Sequence, residues 1–301
     1  MAKENRKIKS SVFVDLFADD EKDGENNFLA LYNAIHGLDL KREEIVLEHK
    51  KIPQSIYKPF DNDISMLING RLIVLIEHQS TPNNNMPLRF LEYYVHLLYG
   101  IVPAEARYRE KLYKIPTPEF YVFYNGKKKL EQEFTMKLSN AFIVSQNEPH
   151  CELNVKFLNI YGKEGENLPV VQNCGILKEY CEFMDIVFKY QSELKSNPTK
   201  EDMEGCYDKA IKEAISNGIL VDYLTRKGTE VRNMFFGEYD YDLDMKVKAE
   251  EAFESGMEQK AVETATNMLR KNYPLSDISE ITGLSFEQVL ELQKTIVAAQ
   301  A

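Results

Sequence analysis

Two apolar runs separated by Asn69-Gly70 constrain the fold more than any other part of the sequence. The runs, residues 64–68 and 72–76, each have the length of a β-strand. Asn-Gly between two such runs is the strongest short-range signal for a β-hairpin. The second run contains no polar residue, which is typical of a strand buried on both faces. The sequence therefore predicts a hairpin in the middle of a sheet.

Polar residues flank this hairpin in the sequence, before its first strand and after its second. Asp63 comes directly before the first run, and Glu77 and Gln79 follow the second. A carboxylate is costly to bury without a partner because it loses its hydration. Sites rich in oxygen, with one or two carboxylates, suit Mg²⁺. The sequence therefore predicts a divalent-cation site formed by these residues. Asp61 lies two residues before Asp63 and has the same parity, so it is an alternative to Asp63 in this site.

The register of the hairpin decides whether these side chains meet. A two-residue turn would place Glu77 on the opposite face from Asp63, because side chains alternate along a strand. A three-residue loop with Gly70 in the left-handed conformation shifts the register by one residue. Asp63, Glu77 and Gln79 then share a face, so the predicted site requires the three-residue loop. His78 points to the other face and is expected to be a packed or hydrogen-bonded histidine.

The hairpin and its polar ends resemble the core of the PD-(D/E)XK nuclease superfamily. Asp63 matches the first acid, and Glu77-His78-Gln79 matches the (D/E)-X-K element. Within the superfamily the chain is similar to the recombination-promoting nuclease (Rpn)/transposase family. Gln79 stands where the superfamily signature has lysine, although this family commonly shows Glu-X-Gln. The similarity is strong over residues 10–145 and is carried by the runs at residues 11–17, 77–81, 85–89, 115–120 and 121–126.

This resemblance implies a restriction-endonuclease-like α/β fold, with a mixed central sheet flanked by helices, and a metal-dependent DNA endonuclease linked to recombination or mobile elements. It implies that Asp63 and Glu77 bind Mg²⁺ or Mn²⁺, with the backbone carbonyl of His78 as a further ligand. Such a metal activates a water molecule and neutralises charge on the phosphate. Gln79 carries no charge, so it would position the water by hydrogen bonding. A catalytically inactive binding or assembly module remains the alternative.

A helix is predicted after the polar turn that follows the hairpin. Asn85 is a suitable N-cap, Pro87 suits the first helical turn, and Gly100 would lie near the end. Apolar residues recur at helical spacing and predict the face that packs on the sheet. These residues are Leu88, Leu91, Val95 and Leu98.

Arg89 and Tyr93 lie one turn apart on another face of this helix. Arg89 is a candidate substrate-binding residue because it could contact a scissile phosphate, or it could hold Glu77 in place. Tyr93 could hydrogen-bond the DNA backbone. The structural alternatives are a surface arginine paired with Glu92 or Asp61, and a tyrosine at the edge of the core.

The charge distribution bears on the expected DNA partner. A net charge of −11 disfavours nonspecific DNA binding, because phosphates are neutralised by Lys and Arg. Residues 1–165 carry 22 basic and 23 acidic side chains, whereas residues 166–301 carry 15 and 25. Residues 103–137 carry eight basic and five acidic side chains, which form a modest basic patch or a solvated helix and turn. The acidic excess thus belongs to the C-terminal part.

Further segments complete an α/β prediction with two regions, a nuclease-like domain at residues 1–165 and a helical region at residues 166–301. Strands are predicted at residues 45–52, 120–124 and 155–161. Helices are predicted at residues 11–17, 28–35, 179–191, 202–217, 221–225 and 246–270, the last interrupted at Gly256.

The C-terminal residues 275–289 resemble a helix-turn-helix. Thr282 to Leu284 would form the turn, and Ser285 with Gln288 matches a capping box. Because the second helix carries more acidic than basic residues, it is predicted to pack on the body or to mediate a homo-oligomer rather than to enter a DNA groove.

The sequence contains no run of 18 apolar residues, and its N-terminus lacks the apolar stretch of a signal peptide. A cytoplasmic protein without a membrane segment is expected. The four cysteines show no metal-binding spacing and are expected to be buried free thiols.

Overall fold

The structure is a computed structural model, and it describes residues 11–18, 22–50, 63–195, 198–271 and 273–298. The chain divides into two compact units, the first ending at Phe236 and the second beginning at Gly237. The first unit has an α/β fold, with one mixed sheet flanked by helices. The predicted boundary at residues 165/166 follows the last strand, whereas the compact unit continues through the next helices.

Within the described residues the sheet has six strands, in the order β1-β2-β3-β4-β6-β5. β3 pairs antiparallel with β2 and parallel with β4, so it is hydrogen-bonded along both edges. β4 pairs parallel with β6, and β5, which was not predicted, pairs antiparallel with β6. The strands are β1 (Leu47–His49), β2 (Ile64–Ile68), β3 (Leu72–Gln79), β4 (Thr117–Tyr124), β5 (Glu133–Lys137) and β6 (Asn154–Asn159).

Helices cover both faces of the sheet. One face packs against α1, α2, α5, α6 and α7 and the beginning of α8 in a large apolar core. The other face packs against α3 in a second core. The helices are α1 (Val12–Ala18), α2 (Lys22–His36), α3 (Met86–Ile101), α4 (Gly162–Glu166), α5 (Pro169–Gln172), α6 (Gly175–Ser192), α7 (Lys200–Ser216), α8 (Val221–Arg270), α9 (Leu275–Thr282) and α10 (Phe286–Ala298).

The loop between β2 and β3 has three residues, as the predicted site requires. Ile68 pairs with Leu72, which leaves Asn69, Gly70 and Arg71 in the loop. Asn69 and Gly70 both have positive φ, 51° and 64°. Asparagine and glycine tolerate this left-handed backbone better than other residues. Asn69 and Gly70 therefore permit the three-residue loop, and this loop sets the register.

The prediction of which face of α3 packs on the sheet is wrong. Leu88 and Val95 are exposed, while Leu91 and Leu98 are only partly buried. The helix is apolar on two sides, so its periodicity alone does not determine which side faces the sheet. The side that carries the aromatic rings is buried, because large rings remove more apolar surface from water. The residues buried on the sheet are Met86, Phe90, Tyr93 and Leu97.

α3 begins directly after Asn85 as predicted, but two other details of the helix predictions differ from the structure. Asn85 precedes α3 without a side-chain capping bond; its own N–H donates to Asn83 Oδ1 at 2.9 Å. In α8 the helix continues through Gly256, and the non-helical backbone lies at Lys227 instead. A single glycine costs a helix only about 1 kcal/mol, so it does not by itself end one. Asp61 and the end of the strand predicted at 45–52 lie outside the described residues.

The second unit contains the predicted helical hairpin. Gly283 has a φ of 73° and ends α9. The predicted capping box is confirmed, because the N–H of Ser285 donates to Gln288 Oε1 at 2.8 Å and the N–H of Gln288 donates to Ser285 Oγ at 3.2 Å. A small core supports the hairpin. It consists of Ala265, Ile278, Leu284 and Val289.

Cys174, Cys181 and Cys206 are buried free thiols as predicted, whereas Cys151 is exposed. Nowhere in the described ranges is a helix both long and apolar enough to cross a membrane.

Gly126, two residues beyond β4, lies against the segment that follows β3. A Cβ added to Gly126 would overlap the carbonyl oxygen of Ser80 and the ring of Tyr124. We expect Gly126→Ala to lower the free energy of unfolding by about 1–3 kcal/mol, as overpacking does. The matched control is Gly205→Ala in α7, where nothing lies within 4 Å of the added atom and helix propensity should raise stability. Urea unfolding of both variants measures this, and equal effects would contradict it.

Candidate active site

The hairpin places the three predicted polar residues on one face of the sheet. Ile64 pairs with Ile76, so Asp63 stands opposite Glu77, and Gln79 shares the face of Glu77 by alternation. This face is the one that packs against α3. Glu77 and Gln79 are buried, at 3% and 9% exposure, and Asp63 is partly exposed.

Asp63 is held by the backbone of the neighbouring strand. Its Oδ2 accepts a hydrogen bond from the N–H of His78 at 2.6 Å. Burial raises the pKa of Asp63 to about 6, even though this hydrogen bond and the charge of Arg89 favour the carboxylate. The backbone N–H of His78 therefore lies beside the first acid.

Arg89 reaches the site from the first turns of α3. Its Nη2 lies 3.0 Å from Glu77 Oε2, and its guanidinium donates to the hydroxyl of Tyr93 from Nη2 at 2.6 Å and from Nε at 3.0 Å. Of the roles considered for Arg89, the structure shows the one that holds Glu77. Tyr93 is buried at the edge of the core and orients the guanidinium.

The environment of Glu77 opposes its ionisation. Burial is the largest cause and the carboxylate of Asp63 the second, and together they raise the pKa of Glu77 to about 8. The positive charge of Arg89 offsets them only in part. Among the described residues no hydrogen-bond partner reaches Glu77 Oε1, which is buried. One oxygen of this carboxylate is therefore paired and the other is not.

Gln79 presents a second buried oxygen without a partner. Its Nε2 donates to the sulfur of Met86 at 2.8 Å, and no described group hydrogen-bonds to its Oε1. Buried acceptors left without a donor are costly, so native structures rarely keep them unless an ion or water satisfies them. Two such oxygens beside a second carboxylate fit a hard cation such as Mg²⁺.

The number of acidic ligands is nevertheless small. Across the described part of the chain, no group of three or more His, Cys, Asp and Glu side chains is arranged to hold a metal ion. The site supplies two carboxylates, and the remaining oxygens would come from the Gln79 amide and from backbone. This donor set suits a metal that keeps several waters, as Mg²⁺ usually does.

His78 packs on the opposite face, as predicted for its side chain. Its ring stacks on Phe13 with centroids 4.8 Å apart, and its Nε2 lies 2.9 Å from the hydroxyl of Tyr180. Burial lowers the pKa of His78 to about 4, so the ring is neutral near neutral pH. Asn125 Nδ2 lies 3.4 Å from the same hydroxyl. The imidazole therefore packs on the face of β3 opposite to Glu77.

Three residues of this environment were not found from the sequence. Met86 is an apolar residue at the start of α3, where nothing in the sequence indicates a contact with Gln79, and Tyr180 lies in α6, far from the hairpin in sequence. The position of Asn125 in the sequence could have indicated that it lies near the end of β3. It directly follows β4, and the ends of adjacent parallel strands lie at the same edge of a sheet. Its N–H donates to the carbonyl of Gln79 at 2.9 Å.

No protein-family model, curated protein or solved structure matches the chain. The resemblance to the Rpn family rests on the sequence runs given above.

The raised pKa values of Asp63 and Glu77 predict how stability depends on pH when metal is absent. Between about pH 4 and 8 these two carboxyl groups bind more protons in the folded protein than in the unfolded chain, so their contribution to stability falls as pH rises through this window. Glu77→Gln removes one of the two groups, so its free energy of unfolding should decrease less with rising pH than that of the wild type. The difference should be on the order of a few kcal/mol at pH 8.5.

Urea unfolding in EDTA at several pH values measures this dependence. Glu92→Gln is the control, since Glu92 is an exposed carboxyl on α3. Parallel curves for the wild type and Glu77→Gln would show that Glu77 does not carry the effect.

Proposed function

We propose that the chain is a metal-dependent DNA endonuclease of the PD-(D/E)XK type, in the recombination-promoting nuclease (Rpn)/transposase family, and that it acts on DNA in the cytoplasm. The observation that carries the proposal is the convergence of Asp63, Glu77 and Gln79 on one face of the hairpin. Two buried oxygens there, on Glu77 and Gln79, have no partner among the described residues. A site of this kind supports phosphodiester hydrolysis.

The residues that would hold the metal are Asp63 and Glu77, with the carbonyl of His78 and the amide oxygen of Gln79. Mg²⁺ or Mn²⁺ would lower the pKa of a bound water and neutralise charge on the phosphate. The raised pKa values of the two acids mean that the site gives up protons when a cation binds. Cation affinity should therefore rise with pH.

Arg89 and Gln79 divide the tasks of the signature lysine in this proposal. The Gln79 amide can orient the attacking water by a hydrogen bond but cannot supply positive charge. Arg89 supplies that charge from the helix, and its side chain is 38% exposed, so the guanidinium also reaches solvent. A phosphate that approaches from solvent can accept hydrogen bonds from the same guanidinium. Tyr93 then acts on the substrate only through Arg89.

One observation favours a second function. Arg89 already pairs with Glu77, and Gln79 is neutral, so part of the site's negative charge is balanced without a metal. A catalytically inactive module that binds DNA or assembles with partners could keep this arrangement as structural support. Metal binding separates the two functions, because the module has no need of a cation at Glu77.

A homo-oligomer through the C-terminal helices is part of the proposal. Ile281 and Phe286 are large apolar residues exposed on α9 and α10. Exposed apolar groups on a helical hairpin favour contact with another protein surface.

Plasmid cleavage with millimolar Mg²⁺ tests the catalytic proposal. Glu77→Gln and Asp63→Asn keep the size of each side chain but remove a metal-binding charge. We expect each to reduce cleavage at least about a hundredfold, since second-sphere changes alone often cost metal sites 10- to 100-fold. The exposed Glu92→Gln should cleave like the wild type. Cleavage by both site variants at the wild-type rate would exclude this site as the catalytic one.

Thermal unfolding with and without Mg²⁺ tests metal binding separately from activity. A ligand that binds only the folded protein stabilises it, by about 2.7 kcal/mol at a concentration of 100 Kd. We expect Mg²⁺ to raise the melting temperature of the wild type and to leave Glu77→Gln unchanged. Equal shifts in both proteins would place cation binding elsewhere, and no shift in either would favour the inactive module.

A further inference from the structure

The segment that joins α3 to β4 forms an exposed surface with fixed ends. All nine residues from 107 to 115 are exposed, whereas Ala106 before them and Pro116 after them are buried. The carbonyl of Pro116 accepts a hydrogen bond from the hydroxyl of Tyr94 at 3.0 Å, which ties the segment to α3. We call residues 107–115 the connecting segment.

Large apolar side chains are exposed along the connecting segment. Tyr108 is 87% exposed and Leu112 78% exposed, and Tyr113 and Ile115 are exposed as well. Tyr99, at the end of α3, is also exposed. Single exposed apolar residues need no explanation, but several close together mark a binding surface.

The connecting segment is also basic in an acidic protein. It contains Arg107, Arg109, Lys111 and Lys114 but only one acidic residue, Glu110, while the chain as a whole has a net charge of −11. The guanidinium of Arg107 lies 4.5 Å from the centre of the Tyr99 ring. Basic and aromatic side chains are therefore interspersed along this exposed segment.

We propose that the connecting segment, together with Tyr99, binds single-stranded nucleic acid. Proteins that bind single strands combine aromatic rings, on which bases stack, with basic groups along the backbone. Duplex bases stack on each other and offer no free face to Tyr108 or Tyr113. The charge of the segment complements the phosphates, whereas a partner protein would have to match four basic side chains with acidic ones.

The position of the segment gives this surface a role in the proposed nuclease. Arg89 and Tyr99 lie on the same helix, ten residues apart, which corresponds to about 15 Å along its axis. A strand bound at the connecting segment can continue along α3 towards Arg89 and the site. This inference rests on the proposed function for its substrate, DNA with a single-stranded part, while binding itself requires no metal.

Fluorescence anisotropy in EDTA tests the binding surface. The probes are a fluorescein-labelled oligothymidine of about twenty nucleotides and a duplex of the same length. We expect the single strand to bind at least about tenfold more tightly than the duplex. Removing both rings with Tyr108→Ala/Tyr113→Ala should weaken single-strand binding at least tenfold, since each stacked base contributes substantially to affinity.

Salt dependence tests the contribution of charge. Each phosphate contact contributes about −0.7 to the slope of log affinity against log salt for single strands. Four contacts predict a slope near −3, and Arg109→Ala/Lys111→Ala/Lys114→Ala should reduce it to about −1. The matched controls are Lys209→Ala/Lys212→Ala, which removes exposed lysines of α7, and Tyr273→Ala, which removes an exposed tyrosine elsewhere. Both should bind like the wild type.

The outcomes separate this inference from the proposed function. Binding in EDTA that depends on Tyr108 and Tyr113 supports it, even if plasmid cleavage is never observed. Unchanged binding by the tyrosine variant, equal binding of duplex and single strand, or no binding at about 50 mM salt would overturn it. So would a dimer in sedimentation velocity that the same variant dissociates, because the segment would then contact a second copy of the chain.

Discussion

The strand β3 is hydrogen-bonded to β2 on one edge and to β4 on the other, and helices cover both of its faces. A strand in this position is shielded from water over most of its length, and all of its residues except Leu72 and His78 are buried. Glu77 and Gln79 at its end therefore sit in an environment of low polarity, where an unpaired charge or oxygen is costly. Burial of this strand end is the largest cause of the raised pKa of Glu77, and it makes the oxygens that lack a partner among the described residues costly. The ion pair with Arg89 offsets part of this cost.

The sequence could predict the parts of the site that depend on local rules. Asn69-Gly70 predicts a hairpin but is compatible with a two-residue turn and with a three-residue loop, and only the second places Asp63 and Glu77 on one face. Parity then determines which side chains share a face, whereas the choice of loop followed from the requirement that the acids meet. The side of His78 followed from the same alternation.

The parts that depend on distant residues could not be predicted in this way. α3 has two apolar sides, and the side with Phe90 and Tyr93 is the one that packs on the sheet. The packing of α3 also places Arg89 against Glu77. The sequence alone left several possible partners for Arg89. The contact of His78 with Tyr180 required α6 to be placed on the sheet.

The three-residue loop also affects the order in which the site assembles. A hairpin with so short a loop can form within microseconds, whereas the parallel pairing of β3 with β4 must wait for the long connection that contains α3. Asp63 and Glu77 are then brought together before Arg89 is available to balance their charge. At a pH at which both carboxyl groups are ionised, their repulsion is not balanced in the newly formed hairpin. We therefore expect the rate of folding to depend on the charges of Asp63 and Glu77.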